Sequence, residues 1–139
     1  MEWNLDDKSR YALVHSFEFP EAFTYADMRK GRRDKDKREY IRSKAAKNFP
    51  INILEVQWWA FRIFVGKTGM RQFDIENVPK LIIDSFCKRQ IIQDKSGFKK
   101  LALYDDDTLD YVKILAVGGS RSTKDFTKVE IFGAKKKLI

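Results

Sequence analysis

The sequence predicts an α+β domain: one mixed β-sheet with helices packed mainly on one face, spanning residues 1–139 as a single domain. Three observations predict it. Segments rich in β-branched and aromatic residues, with loose period-two alternation, stand at residues 11–19, 51–65, 109–117 and 126–133. Apolar residues recur at helical spacing in residues 34–49 and 78–93. The two kinds of segment are mixed without regular βαβ alternation, which argues against a doubly wound parallel sheet. A chain of 139 residues makes one domain the default.

Each element has its own signal. YALVHSFEF, Tyr11–Phe19, alternates and reads as a strand. PEAFTYADMRKGRR contains a proline and a glycine and reads as a loop. In DKDKREYIRSKAAKNF, Tyr40, Ile41, Ala45 and Phe49 recur near helical spacing, and Pro50 marks the end. INILEVQWWAFRIFV reads as a long central strand, with Trp58 and Trp59 on opposite faces. GKTGMRQF is a polar loop. Asn77 is the candidate N-cap of the next helix, and Pro79 sits in its first turn, where a missing N–H costs nothing. VPKLIIDSFCKRQIIQ reads as one helix whose buried stripe is Leu81, Ile82, Phe86 and Ile91. DKSGFKK is a turn-rich break, LDYVKILAV a strand, GGSRSTKD a loop and FTKVEIFG a final strand.

Composition excludes several classes of function. Hydrophobic residues make up 43% of the chain, enough for a packed core. The apolar stretch around WWAFRIFVG contains Arg62 and is too short to span a bilayer, so no membrane partner is expected. The acidic, polar start MEWNLDDKSR lacks the basic and apolar regions of a secretory signal. Cys87 is the only cysteine, so no disulfide forms within the chain. These features fit a cytoplasmic protein. A lone histidine, His15, excludes zinc sites with several His or Cys ligands, and its strand position favours a structural role. Metal chemistry here needs oxygen ligands, which suit Mg²⁺ or Mn²⁺.

The formal net charge is +8, and it is unevenly spread. Met28–Lys47 holds ten Lys or Arg against three acids, and Lys135–Lys137 form a second cluster. A solvated surface is the bland account of such a run. Its length and one-sidedness favour nucleic-acid binding, with Arg29, Lys30, Arg32, Arg33, Lys35 and Lys37 facing phosphates. Arg71, in the loop before the acidic stretch, joins them.

Against this basic background the chain gathers carboxylates twice, in FDIENVPKLIID (Phe73–Asp84) and YDDDTLD (Tyr104–Asp110). Each like-charged pair near 4 Å costs about 1 kcal/mol in water, and a divalent cation reverses the sign. Asp74 and Glu76 share one face of an extended segment just ahead of a helix N-terminus, which favours anions. Lys80 follows Glu76 by one helical turn, where it can face a phosphate. Asp105, Asp106 and Asp107 precede a strand, and complete a site if that strand is adjacent in the sheet. Solvated turn acids beside a capped helix are the competing account of the same residues.

These two stretches resemble the RusA family of Holliday junction resolvases of bacteria and their phages. The family pattern is Asp, one residue, Asp-Asn, a lysine three residues on, a helix, and an Asp-Asp pair opening a strand. It stands here as FDIENVPKLIIDSF followed by YDDDTLDYVKILAV, with Glu76 where the pattern has Asp. FEFPEAF, KREYIRSKAAK, ILEVQWWAFRIFV and TKVEIFG are similar to the family's flanking elements, so the resemblance covers nearly the whole chain. It implies a RusA-like nuclease domain, homodimeric and dependent on Mg²⁺ (or Mn²⁺), that cuts opposing strands of a four-way DNA junction. Two-fold protein symmetry would match two-fold substrate symmetry. The implied metal ligands are Asp74, Glu76 and one aspartate of the run. Asp106 is favoured because Leu109 then falls at the family's apolar position; Asp107 is the alternative. The implied catalytic residues are Asp74, Glu76, Asp106 and Lys80. Two other readings stand beside it: a metal-dependent nuclease of different specificity, and a non-catalytic DNA-binding recombination accessory protein.

Overall fold

In the computed structural model, residues 3–23, 34–53, 55–70 and 72–136 are described. Alternation in Tyr11–Phe19 builds strand β1, which pairs antiparallel with β4 (Phe126–Lys135). The register slips by one residue at Val14, between Leu13 and His15. A one-residue slip exchanges the faces. Tyr11 therefore packs on one side of the sheet, with Phe132 and Ala134, while Phe17 and Phe19 pack on the other.

Strand β2 (Val56–Lys67) lies between β4, antiparallel, and β3 (Val112–Arg121), parallel, giving the order β1-β4-β2-β3. The chain is thus an α+β fold with a single mixed sheet. Trp59, Phe61, Ile63 and Val65 face one way, and Trp58 and Ala60 the other. The first face meets the helices. Ile41 and Ala45 of α1 (Asp34–Ala45) and Val78, Leu81 and Ile82 of α2 (Asn77–Ser85) join these side chains, Val129 and Ile131 in one core. The second face carries a smaller cluster around Tyr11, Ala60, Ile114 and Phe132, to which Leu5 contributes. Among the described residues, no helix is long and apolar enough to cross a membrane.

Several element boundaries differ from the sequence reading: β2 starts at Val56 rather than residue 51, α1 ends at Ala45 rather than residue 49, and three others follow. The helix expected at 78–93 is two: α2, and α3 (Lys88–Gln93). Between them Cys87 is extended and bridges Tyr104, with the Lys88 amide donating to the Tyr104 carbonyl at 2.8 Å. The returning loop satisfies the backbone there and breaks the helix. The N-cap of α2 is Glu76 rather than Asn77. Strand β3 begins later than expected, at Val112, and runs on through Gly118 to Arg121, because β2 supplies a ladder as far as Lys67. Pairing here overrides the low strand propensity of the glycines.

The connection from β3 to β4 passes the end of β2, and Asp125 secures it. Its carboxylate accepts from the Thr68 amide at 2.8 Å and pairs with Lys67 at 3.1 Å. Phe126 then crosses directly over Gly66, where an added Cβ would lie 2.1 Å from the ring. Gly66→Ala is expected to destabilise the fold by about 1–3 kcal/mol, as overpacking does. Urea unfolding reads this out. The stacking of Phe126 on Phe64, with centroids 6.1 Å apart, restricts the ring's escape. An unchanged midpoint would mean the ring moves freely.

Candidate functional site

Helix α2 turns Val78, Leu81 and Ile82 into the core and leaves Lys80 exposed and Asp84 half-buried on its outer side. The loop from Tyr104 to Asp107 is fastened to the end of this helix. Tyr104, buried, donates its hydroxyl to the Ile83 carbonyl at 2.5 Å, and the Arg89 amide donates to the Asp105 carbonyl at 3.3 Å. Burial holds the Tyr104 hydroxyl pKa well above its usual value. These ties bring the second acidic stretch to the first. The Lys80 ammonium donates to Asp107 at 2.8 Å and to Asp84 at 3.2 Å. Asp106 accepts from the Asp107 amide at 2.9 Å and lies 3.6 Å from the Arg89 guanidinium. Lys80, Asp84, Asp106, Asp107, Arg89 and Gln90 line one pocket of about 200 Å³.

The two carboxyls beside Lys80 behave differently. Burial raises the pKa of Asp84, and the nearby Asp107 raises it further, against the lowering effect of Lys80. Hydrogen bonding from Lys80 lowers that of Asp107. The same hydrogen bond to Asp107 raises the pKa of Lys80 itself. The ammonium therefore stays charged and aimed at the carboxyl pair.

Asp74 and Glu76 stand apart from this group. Both are exposed, on either side of Ile75. Ile75 rests on Gly119 of β3, where an added Cβ would approach its Cδ1 to 3.0 Å. Glu76 precedes Lys80 by one turn, ~6 Å along the helix axis. The structure thus brings together Lys80, Asp106 and Asp107, but not all of the sequence-predicted carboxylates. Among the described residues no three His, Cys, Asp or Glu side chains are grouped so as to hold a metal ion. Mg²⁺ needs fewer protein ligands, since one or two carboxylates with waters and a substrate phosphate suffice. Asp84 and Asp107, both accepting from Lys80 and lining one pocket with Asp106, are all-oxygen donors of that kind. Sequence reasoning missed Asp84, although its spacing of four from Lys80 was visible.

The basic segment is only partly a surface. Lys35 is exposed. Lys37 is not: it is 2% exposed, with its ammonium 5.8 Å from the centre of the Phe23 ring. Its expected place on a phosphate-binding surface is corrected to an inward one. Arg42 is wholly buried, donating to Ser85, Glu39 and Asp94, and Arg38 grips Asp94 with two hydrogen bonds. Much of this charge serves helix packing. Arg29, Lys30, Arg32, Arg33 and Arg71 lie outside the described residues. His15 has a structural place: it is buried, and its Nε2 lies 2.7 Å from the Ala45 carbonyl oxygen.

No model of a known family matches the chain, and no curated protein or solved structure does either.

Proposed function

We propose that the protein is a Mg²⁺-dependent, structure-specific endodeoxyribonuclease that resolves four-way DNA junctions by paired phosphodiester hydrolysis, acting as a cytoplasmic homodimer. The observation that carries this reading is the meeting of Lys80 with Asp107 and Asp84, beside Asp106, on a strongly basic chain. The resemblance requires its lysine and its Asp-Asp pair to share a site. Lys80 would face a non-bridging phosphate oxygen and offset the charge that develops as the bond breaks. Asp107 and Asp84 hold that ammonium in place, and Arg89 offers a second cation at the rim. One or two carboxylates of the pocket, Asp107 with its neighbour Asp106, would hold the ion together with waters and a substrate phosphate, while Asp74 and Glu76 stand apart from it. When bound, Mg²⁺ (or Mn²⁺) supplies an activated water and polarises the phosphoryl group.

The separate placement of Asp74 and Glu76 favours a second reading, a DNA-binding accessory protein without catalysis. One assay separates the two: cleavage of a synthetic four-way junction and of a linear duplex, with Mg²⁺ and with EDTA. Mg²⁺-dependent, paired cuts confined to the junction are expected. Binding without any cleavage would leave only the second reading.

A further inference from the structure

The segment from Lys88 to Lys100 supplies cations that the acidic stretches do not use. Lys88, Lys95 and Lys99 are exposed and rim a groove of about 520 Å³ between α3 and the 3-10 turn Lys99–Leu101. Its apolar lining is Ile91, which is buried, with Ala102 and the exposed Ile92. Among the described residues no acidic side chain lines it. The one acid within the segment, Asp94, is turned inward and occupied by Arg38, Arg42 and Gln90. Nor, among the described residues, does an acidic side chain pair with Lys88, Lys95 or Lys99. The groove shares a helix with the candidate site, because Arg89, Gln90 and Gln93 line the carboxylate pocket.

A second, independent observation concerns Lys95. Helix α3 ends in a paired-hydrogen-bond stop: the Ser96 amide donates to Ile91 and the Lys95 amide to Ile92, each at 3.1 Å. The residue after the cap in such a stop is left-handed and is usually glycine. Here it is Lys95, at φ 54°. A long cationic side chain stands at a position where it strains the backbone, which points to a use for the side chain.

We propose that this groove binds the phosphate backbone of a DNA arm leading to the carboxylate pocket, through Lys88, Lys95 and Lys99. The proposal rests on the nuclease reading for the identity of the arm. Cationic rims recognise the phosphates, and an apolar lining suits the sugar faces between them.

The test uses the full chain and a fluorescent four-way junction in EDTA, with binding followed by anisotropy across a salt series. The Lys88→Gln/Lys95→Gln/Lys99→Gln variant should bind at least about tenfold more weakly near 0.1 M salt. Its slope of log K against log salt should be shallower by about 2–3, at ~0.9 for each phosphate no longer neutralised. The corresponding triple Lys→Arg variant should keep the slope. Lys95→Gly should raise the melting temperature while making the slope shallower by about 1. If wild type binds and the Gln variant keeps its slope, the groove proposal falls and the nuclease reading survives. If wild type binds no nucleic acid, both fall. If wild type binds but never cleaves with Mg²⁺, catalysis alone falls. Loss of binding to phosphatidylserine vesicles with DNA binding unchanged would make the groove a membrane-binding surface and overturn the proposal.

Discussion

Asp107→Asn is expected to lower junction cleavage in Mg²⁺ by about a hundredfold to a thousandfold, the usual loss when a charge-stabilising group is removed from an active site. Asp107 is the closest acid to Lys80, at 2.8 Å, and its carboxylate directs the ammonium. The amide replacement keeps the shape and removes the charge. Junction binding in EDTA should stay the same or tighten, because one negative charge facing the phosphates is gone. Asp74→Asn should show the same loss of cleavage if the two acidic stretches act as one site. Asp74 is exposed, so the stability of this variant should stay within roughly 0.5 kcal/mol of wild type. Loss in Asp107→Asn alone would confine the chemistry to Lys80, Asp84, Asp106 and Asp107. Full cleavage by both variants would remove the carboxylates from catalysis.

The second large effect is on stability. Asp94→Ala should destabilise the fold by about 3–5 kcal/mol, the range for removing one partner of a buried ion pair. Asp94 is 5% exposed and holds Arg38 through two hydrogen bonds. It also accepts from Arg42, which has no exposed surface at all. Without the carboxylate, Arg38 loses the acid it grips with two hydrogen bonds, and the fully buried Arg42 keeps only Glu39, 2.7 Å away. Against a total of about 5–15 kcal/mol, this is a large share, and urea unfolding measures it directly.

The same residue sets an acid limit. Burial alone would raise the Asp94 pKa, but hydrogen bonds from Arg38, Gln90 and Arg42 outweigh it and hold the group at about 2, below its ordinary 3.8. A carboxyl depressed in the folded state contributes stability above its unfolded pKa and loses it as the pH falls through the folded one. About 2–3 kcal/mol should therefore disappear between roughly pH 4 and pH 2. In Asp94→Ala that part of the acid transition should vanish. An equal acid loss in both proteins would place it on other carboxyls.

How much was legible before the structure depends on the range of the interactions involved. Strands β1, β2 and β4 announce themselves through local alternation, and α1 through its spacing. The break at Phe86–Cys87 was hidden, because its cause is a backbone bridge to Tyr104 in a later segment. The extension of β3 through two glycines was hidden for the same reason. In the candidate site, Lys80 and the aspartate run were readable as chemistry. Their meeting depends on the loop that Tyr104 and Asp105 fasten to α2 and α3. Charge was the least legible property. Arg38, Arg42 and Lys37 read as surface in a basic run, yet all three turn inward, since Asp94 and the Phe23 ring lie far from them in sequence.

The strand order carries a cost in time. Strand β4 follows the other strands in the chain but stands between β1 and β2, pairing with both along most of its length. β2 can pair with β3 beforehand, but β1 has no ladder among the described strands until β4 arrives, and that pairing closes a loop of nearly the whole chain, from Tyr11 to Ala134. Such long-range pairing slows folding relative to helical bundles of similar size. During synthesis β1 and β2 wait with open edges, one of them bearing Trp58, Trp59 and Phe61. The nascent chain is therefore exposed to edge-to-edge aggregation until its last strand inserts, a period in which chaperone protection matters most.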